Sequence, residues 1–150
     1  MIHALDVAKY FLSLSDENAG DLISNLKLQK LLYYAQGFYL ALNRQPLFAE
    51  PIEAWTHGPV VPVVYRAYRD FGSNALPTPT GLDLSVYDGK IKSHLDEVYK
   101  VYGQFSAWKL ANMTHDEPPW KDAAPTKSEI TQQALQLYFQ TQISDALQTT

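Results

Sequence analysis

Apolar side chains recur along this chain with a period near 3.6, interrupted by polar, glycine and proline clusters, and this pattern predicts a mainly helical protein. Leu5, Ala8, Phe11 and Leu12 share one face of a first helix over 5–14, which breaks in the polar stretch Ser15 to Gly20. A second helix starts after Ser24 or Asn25, either of which can cap orphan amides, and continues to about Asn43. Its main stripe is Leu28, Leu31, Leu32, Ala35, Tyr39 and Leu42, and a second stripe holds Leu26, Tyr33 and Leu40. A helix that is apolar on two faces needs neighbours on both sides, so this one belongs at the centre.

Between Pro46 and Thr56 the pattern changes: short β-compatible pieces punctuated by proline predict a small hairpin over about 46–56. Pro62 opens a third helix and Gly72 stops it, bracketing Val64, Tyr65, Tyr68 and Phe71. Residues 73–88 read as a surface loop. Ile91, Leu95, Val98, Tyr102 and Phe105 mark a fourth long helix, and Ser106 caps a shorter one through Met113, which Pro118 and Pro119 are expected to end. Thr126 with Glu129 reads as a capping box for a last helix, whose Ile130, Ala134, Leu137 and Tyr138 would close the core, with fraying after Ile143. The expectation is a single compact helical domain, residues 1–150, built around the central helix at about 25–43 with one small β-hairpin.

Composition narrows the function classes. A chain of 150 residues can bury a sizeable core without staples. With no cysteine there is neither a disulfide framework nor a thiolate metal site, which suits a cytoplasmic protein. The N-terminus carries no signal or anchor pattern, and no apolar run approaches the ~20 residues that span a bilayer. A net charge of -4 with twelve scattered Lys and Arg residues disfavours nucleic acid as a partner.

Candidate chemistry is sparse. His57, Gly58 and Pro59 precede the third helix, where free amides could meet an anion, or they form a simple turn in which glycine supplies a positive φ. Thr114, His115, Asp116, Glu117 and Trp120 put an imidazole beside two carboxylates, or they form a loop that Trp120 pins to the core. No HExxH pair, Gly-rich phosphate loop or nucleophile elbow is present, and neither a metal nor a cofactor is implied. Lys27, Lys30 and Tyr34 form a third stripe on the central helix, read either as a contact for a partner's acidic groups or as solvated lysines.

Leu26-Lys27-Leu28-Gln29-Lys30-Leu31-Leu32-Tyr33-Tyr34-Ala35-Gln36, then Pro46-Leu47-Phe48, Ile52-Glu53-Ala54-Trp55, His57-Gly58-Pro59-Val60-Val61-Pro62 with Tyr65, and Thr114-His115 with Pro119-Trp120 stand in one order. Together they resemble the Panacea domain, a family of SocA-like antitoxins and phage-associated GepA-like proteins. The resemblance implies a helical, non-enzymatic antitoxin that binds a cognate toxin, probed best through the adjacent gene, and that in one branch acts as an adaptor for a cytoplasmic protease. It assigns no catalytic residues, and no DNA-binding segment for autoregulation is visible. On that reading Lys27, Lys30 and Tyr34 supply charge and hydrogen bonds to the partner, while His57, Gly58 and Pro59 shape the adjacent concavity. Gln29, Tyr33, Trp55, Tyr65, His115 and Trp120 are motif positions. Two rival readings are a small hydrolase or transferase with His57 and His115 in one cleft, and an RNA-binding module stacking bases on Tyr33, Tyr34 and Trp55. The antitoxin reading expects simultaneous substitution of Lys27 and Lys30 to weaken rescue from the toxin and to leave the fold intact.

Overall fold

The computed structural model describes residues 1–15 and 22–148. Helix α1 (Ala4–Leu14) buries Val7, Ala8, Phe11 and Leu12, and the stretch expected to break it after Ser15 lies outside the described residues. Helix α2 (Asn25–Asn43) is central, touching every other described helix except the short α6 substantially. Its N-cap is Ser24, whose Oγ accepts from the Lys27 amide at 3.3 Å, and it ends at Arg44 in the left-handed region, φ 56°. Leu28, Leu31, Leu32, Tyr33 and Ala35 have no exposed surface, whereas Leu42 stands at the open end and is exposed.

The sheet differs from the expected hairpin in place and size. Strand β1 (Ile52–Trp55) pairs antiparallel with β2 (Gly58–Val60) and, on its other edge, with β3 (Glu129–Ile130), giving the order β2-β1-β3. Residues 46–51 are not strand. Their backbone is satisfied by a side chain instead: Gln36 Oε1 accepts from the amides of Leu47 and Phe48 at 2.8 and 3.3 Å, and its Nε2 donates to the Phe48 carbonyl at 2.7 Å.

Helix α3 (Pro62–Tyr68) starts with proline at its first position as expected, and a single 3₁₀ turn, Arg69–Phe71, carries it to Gly72 at φ 58°. The 73–88 segment is a loop, but it is anchored: the Leu76 amide donates to Ile23 O at 2.8 Å and the Tyr87 hydroxyl to Asp6 O at 2.6 Å. Asp88 caps α4 (Gly89–Tyr102), and Ser106 caps α5 (Ala107–His115).

Two expectations near the C-terminus fail for local reasons. Pro118 and Pro119 do not end helical structure; they open α6 (Pro118–Ala123), because the first positions of a helix have no intrahelical use for the amide that proline lacks. Thr126 and Glu129 do not form a capping box, since Thr126 ends a 3₁₀ turn and Glu129 lies in β3. Thr131 takes the capping role, its Oγ1 accepting from the Ala134 amide at 3.1 Å, and α7 (Gln132–Gln148) follows without a break at Ile143. This register buries Leu135 and Phe139 and leaves Leu137 exposed.

The α2–α7 contact is close because α2 carries Gly37. A Cβ there would overlap the ring of Phe139. Gly37→Ala is therefore expected to destabilise the fold by about 1–3 kcal/mol through overpacking, read as a lowered urea midpoint, although alanine is the better helix former.

Candidate functional site

The polar residues of α2 point inward. Lys30 has no exposed surface, Gln29, Tyr34 and Gln36 are 1% exposed and Lys27 is 7% exposed, so the stripe expected at the surface is interior. The physical reason is that each group finds a backbone or side-chain partner on a different segment. Lys27 Nζ donates to Gly103 O at 2.7 Å, between α4 and α5. Lys30 Nζ donates to Pro59 O at 3.0 Å. Gln29 Oε1 accepts from the Val61 amide at 2.9 Å, while Asn25 Nδ2 donates to Tyr65 O at 3.1 Å and Asn25 Oδ1 accepts from Gln29 Nε2 at 2.8 Å. Replacing Lys27 and Lys30 together thus removes two interior anchors and cannot leave the fold untouched.

The His57-Gly58-Pro59 turn is explained by the same lysine. Gly58 has φ 116°, and a Cβ there would meet Lys30 Cε and Thr114 Oγ1, so only glycine lets β2 settle over both. Of the amides after Pro59, that of Val61 is taken by Gln29. His57 itself is exposed and lies edge-on to Trp108, with ring centroids 5.6 Å apart.

In the second motif segment the decisive residue is Glu117. Its carboxylate accepts from the hydroxyls of Tyr33 and Tyr34 at 2.8 and 2.9 Å. Burial pushes Glu117 up to about 7, against the downward pull of those two hydrogen bonds. The phenols of Tyr33 and Tyr34 are raised by burial and then by the Glu117 charge. Tyr34 also stacks on Tyr102, with centroids 4.0 Å apart and planes 9° from parallel. Lys30 is pulled down to about 7 by burial. His115 lies against Trp120 at 4.2 Å, and its Nε2 has no hydrogen-bond partner among the described residues. Trp120 does pin its loop: its indole N–H donates to Trp55 O at 2.8 Å. The two histidines have separate ring partners, and no group of three or more His, Asp or Glu suited to a metal ion occurs among the described residues.

The open face beside this frame is a groove of about 1020 Å³ between the β1–β2 turn, the start of α2 and the start of α5. Trp55 and Tyr65 form one wall, edge to face at 5.0 Å; His57 and Trp108 form the other. Trp108 is 61% exposed and lines this groove. Sequence reasoning passed over Trp108 and weighed Glu117 only as one of two carboxylates beside His115. Leu110, Ala111 and Thr114 are the buried face of α5, and Trp108 lies off that face.

These elements, from the hub on α2 to the Trp120 anchor, coincide with a stretch recognised across proteins: the family described as "Antitoxin SocA-like, Panacea domain" matches residues 28–121. The chain belongs to this family. It is 37% identical over 109 residues to Antitoxin SocA of Caulobacter vibrioides (strain NA1000 / CB15N), an alignment covering 65% of this chain and 58% of that protein. The chain thus spans less than two thirds of that curated relative. No solved structure matches it. Among the described residues no helix is long and apolar enough to cross a membrane.

The buried charges of this Panacea domain make its stability pH-dependent in two windows. Glu117 is raised on folding, so its stabilising contribution is present at low pH and is lost as pH rises from about 4.5 through about 7. Lys30 is lowered, so its contribution is present at high pH and is lost as pH falls from about 10.5 to about 7. Urea unfolding at pH 5, 7 and 9 is expected to show Glu117→Gln gaining on the natural protein between pH 5 and 7, and Lys30→Met losing ground between pH 7 and 9, each by on the order of 2 kcal/mol. Differences that do not change with pH would mean that neither group titrates in the interior.

Proposed function

We propose that this chain is an antitoxin that neutralises a toxin protein by binding it directly, with the Trp55–Trp108 groove as the docking face. The observation that carries the reading is the exposed Trp108 across from half-buried Trp55 and Tyr65 in a family that includes a protein named as an antitoxin. Exposed tryptophans in concave surfaces are the residues that most often dominate a protein interface. The interior hub supplies a rigid frame, so binding costs little ordering of the receptor. The reading is of a binding module, supported by His57 and His115 having separate aromatic partners and Glu117 being engaged by two phenols. Masking of the toxin and delivery of it to a cytoplasmic protease both begin with this contact. The toxin is expected to be encoded beside this chain's gene.

Co-expression with the product of the neighbouring gene is expected to restore growth. Trp108→Ala should lower affinity for that product by about 30-fold or more, equivalent to about 2 kcal/mol, while the melting temperature stays unchanged. Full rescue by Trp108→Ala would move the docking face elsewhere, and absence of rescue with every neighbouring gene would sink the antitoxin reading.

A further inference from the structure

We infer that the groove receives an arginine-bearing segment of the protein partner, its guanidinium stacked among Trp55, Tyr65 and Trp108 and held by Glu53, with Glu129 adding negative potential. This deepens the docking reading above and rests on it for the location of the face.

The argument starts from strand register. Along β1, Ile52 and Ala54 are buried, so Glu53 and Trp55 occupy the opposite face, and both line the groove. Glu53 is paired directly with Glu129 across the β1–β3 ladder. Cross-strand partners share a face, so the Glu129 carboxylate stands beside that of Glu53, an arrangement that costs stability. Neither has a Lys, Arg or His nitrogen within 4.0 Å among the described residues. Glu53 Oε1 accepts from the Trp55 indole at 3.0 Å, which fixes both side chains and leaves Oε2 available. Lys127 is the ammonium and Glu53 the carboxylate lining this groove, and Glu129 stands beside Glu53 across the ladder, outside the lining. The resulting surface is aromatic on its walls, with the Glu53 carboxylate at its edge and Glu129 next to it.

A cation complements both properties. Arginine suits it better than lysine, because a planar, weakly hydrated guanidinium stacks on indole faces while its edge donates to a carboxylate. A stacked nucleobase would find the same aromatic walls, but its phosphates would meet Glu53, Glu129 and a chain of net charge -4. The charge therefore favours a basic protein segment over RNA.

The test is selection of a random 12-residue peptide display library on the full chain, followed by synthesis of the enriched peptides. Enriched peptides are expected to share an arginine flanked by apolar residues, and to lose binding to Trp108→Ala. Replacing that arginine by citrulline, which has the same shape without the charge, should weaken binding about tenfold. Glu53→Gln, whose amide oxygen can still accept from the Trp55 indole, should weaken the arginine peptide by a similar factor and leave the citrulline peptide unaffected. Absence of enrichment, enriched peptides without arginine, equal binding of the citrulline form, or displacement of the peptide by oligouridine would overturn the inference. If Trp108→Ala abolishes toxin rescue while enriched peptides lack arginine, the docking face stands and only the arginine assignment falls.

Discussion

The structure depends on one arrangement: a central helix whose polar side chains face inward and bind the backbone of the segments around it. Gln36 holds Leu47 and Phe48, Lys30 holds Pro59, Gln29 holds Val61, and Lys27 holds Gly103. Burying so many polar groups is costly unless each is satisfied, and each satisfied group then penalises any displacement of its partner. Irregular connections between helices become as well defined as the helices themselves. The β1–β2 turn and the start of α5, which form the groove, are positioned by Lys30, Gln29 and Lys27 through these bonds.

Glu117 and Lys30 have different footing. Glu117 sits between two phenols that donate to it, so its carboxylate is served by oriented dipoles. Lys30 has the neutral Pro59 carbonyl as its acceptor. A desolvated ammonium with one neutral acceptor is held near the point of losing its proton, and burial accounts for that shift on its own. The interior thus trades stability for fixed geometry, which is useful when a shallow face must be presented in one shape.

Helix placement was legible because it rests on local rules. Ser24, Pro62 and Ser106 mark helix starts by their own chemistry, and the structure uses all three. What periodicity could not show is which polar stripe faces inward. Lys27, Lys30 and Tyr34 look like a solvent face on a helical wheel, and only the distant acceptors Gly103, Pro59 and Glu117 make burial possible. The same limit explains the hairpin: the β-compatible residues Leu47 and Phe48 are held by a glutamine, while the third strand comes from a segment some seventy residues later. Of the groove, Trp55, Tyr65 and His57 were marked in advance. Trp108 was not, because a single tryptophan on the outer side of a short helix has no periodic signature.

Much of what α2 grips is main chain: the carbonyls of Phe48, Pro59 and Gly103 and the amides of Leu47 and Val61. Outward side chains on the gripped segments, such as Thr56, His57 and Gln104, are exposed and form no part of that grip. Gly58 is fixed by what lies beneath it. Such a scaffold separates architecture from specificity: the outer residues can be exchanged one by one, and a new opponent met, while the chassis beneath keeps its shape.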